Sequence, residues 1–144
     1  WSKHTVYEAD THVPLMLKAP GIAPGVTSAL TENIDIYPTL CDLCGLDTPA
    51  QVEGVSLTPW LNDPAHPGKP AAYSQYSRGP VMAYAARTDR FRYIEWRDQQ
   101  TGEVRARELY DHDRDPGEHQ SVIEDPAYAQ HLPTLQTLLD EQRT

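Results

Sequence analysis

Lys3, His4, Glu8 and His12 stand close together near the start of the chain. A lysine there can hold an anionic oxygen as a point charge. Loops leading into a core element are common places for functional groups. The same residues are also what a solvated chain end looks like. A second cluster is Asp111-His112-Asp113-Arg114-Asp115, with Glu118 and His119. Carboxylates and imidazoles suggest a metal, but a calcium loop needs a definite ligand order ending in a late glutamate, and this run lacks it. The expectation is a solvated acidic turn after a strand. Cys41 and Cys44 form a Cys-x-x-Cys pair. No second pair completes a zinc site, and the pair lies late in a helical pattern, away from the N-terminus whose dipole would activate a thiolate. Two small buried apolar residues are expected. No G-x-S-x-G elbow, H-E-x-x-H pair, phosphate loop or N-x-S/T sequon is present.

The 144 residues suit one domain or a piece of a larger one. Apolar residues make up 39% and charged residues 23%, enough for a modest core. Thirteen prolines against eight glycines argue against long helices, coiled coils and repeat arrays. No run approaches the roughly 18 apolar residues of a membrane span. The net charge of −9 argues against nucleic-acid binding, which needs a basic face. The opening Trp1-Ser2-Lys3-His4 has neither a methionine nor a signal peptide, and reads as a cut.

The elements that must position these groups follow from periodicity. Val13-Pro14-Leu15-Met16-Leu17, bounded by Ala19-Pro20-Gly21, reads as a short buried strand. Asp35 to Cys44 reads as a helix: Asp35 caps it, Pro38 falls in its first turn, Gly45 stops it, and Ile36, Leu40, Leu43 and Cys44 share one face. Residues 47–71 are proline-rich loop with at most a short helical turn at 57–61. Strands are expected over 72–76, 81–87, 91–97 and 108–110. Thr88-Asp89-Arg90 joins the second and third. Arg92, Ile94 and Trp96 face one way in the third strand, and Phe91 and Tyr93 the other. Apolar bulk on both faces requires a cover on each. The tail is helical from Asp125-Pro126 onward, with a leucine stripe at 132, 135, 138 and 139 that Pro133 breaks or kinks.

Four blocks, in order, resemble the sulfatase family. Trp1-Ser2-Lys3-His4-Thr5-Val6-Tyr7-Glu8 with Thr11-His12-Val13-Pro14-Leu15 is similar to its W-x-K-x-x-x-[YF]-E stretch and V-P-L strand. Asp35-Ile36-Tyr37-Pro38-Thr39-Leu40 with Gly45-Leu46 resembles its D-[IL]-x-P-T-L helix. Gly54-Val55-Ser56-Leu57, Pro59 and Leu61 resemble G-x-S-L-x-P-x-L. Glu108-Leu109-Tyr110-Asp111 and Asp115-Pro116-Gly117-Glu118 resemble E-L-Y-D…D-P-x-E. Ala72 to Arg78, Tyr84 to Thr88 and Arg92-Tyr93 are similar to the iduronate-2-sulfatase branch.

The resemblance implies an α/β fold: the end of an alkaline-phosphatase-like sulfatase domain over residues 1–65, then a small antiparallel sheet with a C-terminal helix over 66–144. It implies hydrolysis of sulfate monoesters, with Lys3 contacting the sulfate. Arg78 is a candidate substrate-binding cation. A formylglycine nucleophile, made from a C-x-P-S-R cysteine, and Ca2+ belong to the family. Neither Cys41 nor Cys44 opens such a motif, so the isolated chain is expected to be inactive and to bind no metal. The partners implied are the N-terminal remainder of the sulfatase and a sulfated carbohydrate, with no nucleic acid and no membrane. The compartment implied is periplasmic, secreted or lysosome-like. A phosphonate or phosphate monoesterase of the same superfamily and a non-catalytic carbohydrate-binding or accessory module are the alternatives.

Overall fold

Alternating side chains along the second half of the chain build a four-stranded antiparallel meander. Its strands are β1 (Ala72–Arg78), β2 (Val81–Arg87), β3 (Phe91–Asp98) and β4 (Val104–Asp111), adjacent in sequence order. A computed structural model describes residues 4–142 of the chain. The hairpin at Thr88-Asp89-Arg90 closes with the Thr88 amide donating to the Phe91 carbonyl at 2.8 Å. The register slips at Trp96/Arg97, where β3 and β4 carry an irregularity.

Both faces of the sheet are covered, as the apolar bulk on β3 requires. One face presents Ala86, Phe91, Tyr93 and Leu109, and it packs under Tyr128, Leu135 and Leu139. Tyr128 lies on a 3-10 turn (Pro126–His131). The two leucines lie on a helix (Leu132–Glu141) that continues from that turn. Asp125 caps the turn by accepting from the Ala127 amide. Pro133 sits in the first turn of the following helix, where its missing N–H costs nothing, so the break falls between the two pieces. Burying each leucine contributes about 1.5–3 kcal/mol. The opposite face presents Ala83, Ala85, Ile94 and Tyr110, and it packs under Val6. Val6 belongs to a strap that ends in one turn of helix, α1 (Glu8–Thr11).

The chain divides into two compact units: residues up to Pro14 together with Ala71 onward, and Leu15–Pro70. The first unit thus joins the strap to a sheet more than 60 residues further along the chain.

In the second unit, α2 (Ile36–Leu43) and α3 (Thr58–Asn62) are the helices. The stripe expected to face a core is only partly inward: Ile36 and Leu43 are half-buried, whereas Leu40 is 49% exposed and Cys44 is exposed. The inward residues are Pro38, Thr39 and Cys41. Polar bonds set this orientation. The Thr39 hydroxyl donates to the Asp35 carbonyl at 2.6 Å and accepts from the Leu57 amide at 2.8 Å. Asp35 does not cap α2 with its side chain. Its fully buried carboxylate accepts instead from the Glu32 and Val55 amides and pairs with Lys69 at 2.6 Å. Gly54 is required beside this site, since a Cβ there would lie 2.1 Å from the Ile34 carbonyl oxygen. Cys41 is buried as expected, whereas Cys44 is exposed at the helix end.

The run Val13 to Leu17 is not a strand. Val13, Leu15 and Met16 are exposed. A strand needs ladder partners, and no described strand pairs with this segment.

Candidate functional site

The strap is held by charge. Arg92 projects from β3 on the Ile94 face and is 2% exposed. Such a cation must be paired and hydrogen-bonded to be tolerated. Its guanidinium donates to the Val6 carbonyl (2.8 Å), the Glu8 carboxylate (2.5 Å), the Thr11 hydroxyl (3.0 Å) and the Glu118 carboxylate (2.5 Å). Glu118 also accepts from the Glu8 amide at 2.7 Å, and the His112 ring lies 2.7 Å from it. Arg87 reaches Glu8 at 3.1 Å. Burial alone would raise the Glu8 carboxyl, but the Arg87 and Arg92 guanidiniums hold it below the usual carboxylate range.

Glu118 pays a backbone cost for this position. Its φ of 56° is the only positive value at a non-glycine residue among those described, a left-handed conformation costing about 1–2 kcal/mol. Glycine would be cheaper there, but it could not supply the carboxylate that joins Arg92, Glu8 and His112.

A second polar knot lies under the strap. Glu108 of β4 accepts from the hydroxyls of Tyr7 (2.9 Å) and Tyr110 (2.6 Å) and from the Trp96 indole (2.7 Å). Burial and the Glu108 carboxylate push the Tyr7 hydroxyl up to about 12, so it stays a donor. Closer to the chain start, the His4 ring lies 2.7 Å from the Tyr76 hydroxyl of β1.

The acidic segment after β4 is therefore not a solvated turn. Asp111 and Glu118 are buried, and the His112 side chain is 7% exposed; Asp113, Arg114 and His119 are exposed, as expected. Asp111 takes a bidentate pair from Arg90 (2.9 and 2.7 Å) and the Tyr128 hydroxyl at 3.1 Å. The Arg90 hydrogen bonds, then Tyr128, bring its carboxyl down to about 2 against the opposing effect of burial. A depressed native value stabilises above the unfolded pKa and is lost as pH falls through the folded one. Acid titration between about pH 4 and pH 2 is thus expected to remove on the order of 1–2 kcal/mol through Asp111. In Asp111→Asn the same titration, followed by thermal melting, should show a shallower fall; an equally steep one rules Asp111 out.

Glu8, His112 and Glu118 place ligand-type atoms within 4.8 Å of one another. The residues do not fit a resident cation: Arg87 and Arg92 already engage both carboxylates at short range, so a divalent ion would have to displace buried guanidiniums. The cluster is a clamp.

Lys3 lies outside the described residues. Arg78 ends β1, exposed, with its backbone opposite Val81. Reading the residues singly missed Arg92, Glu108 and Tyr7. One signal was available: Arg92 and Glu95, two charged residues inside the largely apolar run Phe91 to Trp96, had to find partners.

A family model described as N-sulphoglucosamine sulphohydrolase, C-terminal, matches residues 1–144. Among curated proteins, Delta 4,5-hexuronate-2-O-sulfatase of Bacteroides thetaiotaomicron is 33% identical over 99% of this chain and 31% of its own length. Human arylsulfatase K is 33% identical over 83% of this chain and 24% of its own length. A structure solved in complex with its substrate D-glucosamine-2-N,6-O-disulfate is 30% identical, with a TM-score of 0.70, over 81% of this chain and 24% of that one. The chain spans about a quarter to a third of the length of the curated relatives it matches.

Proposed function

Since the chain belongs to the N-sulphoglucosamine sulphohydrolase C-terminal family, we propose that it is the C-terminal part of an enzyme that hydrolyses sulfate monoesters of sulfated sugars. The observation that carries this reading is the junction of two motif blocks about a hundred residues apart. Tyr7 and Glu8 of the W-x-K-x-x-x-Y-E stretch are bonded to Glu108 and Glu118 of E-L-Y-D…D-P-G-E. That junction anchors the strap four residues from Lys3. The relative that acts on a hexuronate 2-O-sulfate supports a sulfated uronate as the substrate class.

Sulfate ester cleavage develops charge on the sulfuryl oxygens and on the leaving oxygen, and fixed cations stabilise it best in a partly dry site. The resemblance assigns one such cation to the Lys3 ammonium, which stands four residues before Tyr7 in the sequence. The formylglycine nucleophile and the Ca2+ implied by the resemblance belong to the N-terminal remainder: no C-x-P-S-R occurs here, and the described Glu8, His112 and Glu118 group is engaged by guanidiniums.

The full-length protein should release sulfate from an aryl sulfate or from an unsaturated uronate 2-sulfate, and the 144-residue chain alone should release none. Turnover by the isolated chain, or none by the full-length protein with either ester, overturns the reading.

A further inference from the structure

On the strap-covered face of the sheet, Tyr7, Arg78, Val81, Trp96, Arg105 and Glu108 border an open depression of about 450 Å3. Its aromatic wall is built before any ligand arrives. The Trp96 indole is tethered to Glu108, and Glu108 is held in turn by Tyr7 and Tyr110. With three donors on it, the Glu108 carboxylate is committed to the wall. The cations are differently placed. Arg105 is half exposed and contacts Asp98 and Glu103, each at 3.1 Å. Arg78 is exposed, and no hydrogen bond or ion pair engages its guanidinium among the described residues.

The Trp96 indole lines the depression, and an aromatic side chain there can pack on the C–H side of a pyranose. A guanidinium fork matches the paired oxygens of a sulfate or carboxylate. Few polar groups converging on an apolar concavity make a small-molecule site. Its position adds a constraint. Tyr76, which holds the His4 ring, precedes Arg78 by two residues on the same strand face, roughly 7 Å along the strand. His4 directly follows Lys3.

We infer that this depression is a subsite for an anionic sugar unit, the neighbour of the unit whose ester is cleaved, with Arg78 and Arg105 binding its sulfate or carboxylate and Trp96 packing on its ring. The inference rests on the sulfate-ester reading above. It assigns the depression a specificity role, short-ranged enough to act despite the net charge of −9.

Steady-state kinetics of the full-length protein test it. The probes are unsaturated uronate 2-sulfate alone and the same unit linked to N-sulfated glucosamine. The wild type should show a KM for the disaccharide at least about tenfold below that for the monosaccharide, the value of one charge-assisted hydrogen bond. Arg78→Gln and Arg105→Gln, both at exposed positions, should raise the disaccharide KM, with the Arg78→Gln increase about tenfold and kcat little altered, as expected when uniform binding is removed. Arg78→Gln should thereby close most of the gap between the two substrates. Equal KM values in the wild type, or an unaltered gap in Arg78→Gln, overturns the subsite while leaving the sulfate-ester reading intact. If no ester is turned over, that reading falls, and calorimetry with the disaccharide decides the subsite. Binding weakened about tenfold by Arg78→Gln upholds it; absent or unaltered binding overturns it.

Discussion

Replacing Arg92 with alanine is expected to cost the sheet unit about 3–5 kcal/mol, because it leaves buried carboxylates without their counter-charge. Glu118 is nearly inaccessible, and Glu8 is four-fifths buried. Arg87 would still reach Glu8, but Glu118 would retain only the His112 ring and the Glu8 amide. The lost side chain also supports the Val6 carbonyl and the Thr11 hydroxyl, so the strap should loosen together with the global loss. Urea unfolding measures the first effect, and amide hydrogen exchange at residues 6–11 measures the second. The expected asymmetry is specific: removing the cation should be worse than neutralising one acid, because Glu118→Gln keeps the shape and several of the hydrogen bonds. A loss under about 1 kcal/mol would mean that the pair contributes no more than an exposed one, and the clamp would have to be abandoned.

Lys3→Ala in the full-length protein is expected to lower kcat for sulfate esters by about 10²- to 10³-fold, the usual effect of removing one fixed group that stabilises developing oxyanion charge. Lys3→Arg keeps the charge but changes the reach and the donor geometry, and it should recover only part of the rate. Because the strap is anchored downstream of Lys3 by Tyr7 and Glu8, the variant should melt at the wild-type temperature. An unchanged rate removes Lys3 from the chemistry. A lowered rate with an equally lowered melting temperature assigns it to the fold instead.

Much of the sheet unit was legible from residue order. The four strands, the Thr88-Asp89-Arg90 connection, the two covered faces of β3 and the break at Pro133 all follow from local rules: period-two alternation, turn chemistry and proline's missing N–H. Local rules failed where the outcome depended on which distant group arrived. Nothing between residues 111 and 119 shows that Asp111 and Glu118 would be buried, since their burial depends on Arg90 and Arg92 from another hairpin and on Glu8 from the strap. The helix α2 was correctly placed but its face was not, because Asp35, Thr39 and Lys69 set the orientation through buried polar bonds, while periodicity counts only apolar side chains. Val13 to Leu17 has a strand's composition and no ladder partner among the described residues.

What the amino-acid order determined alone was the family, through four motif blocks, and the regular elements, through patterns that each span a few residues. What only the tertiary structure decided was that the first and last of those blocks are two halves of one ion-paired clamp. Charges separated by 84 and by 26 residues of chain have no local signature; their pairing is dictated by the free energy of burying Arg92, which is tolerable only where two carboxylates come with it.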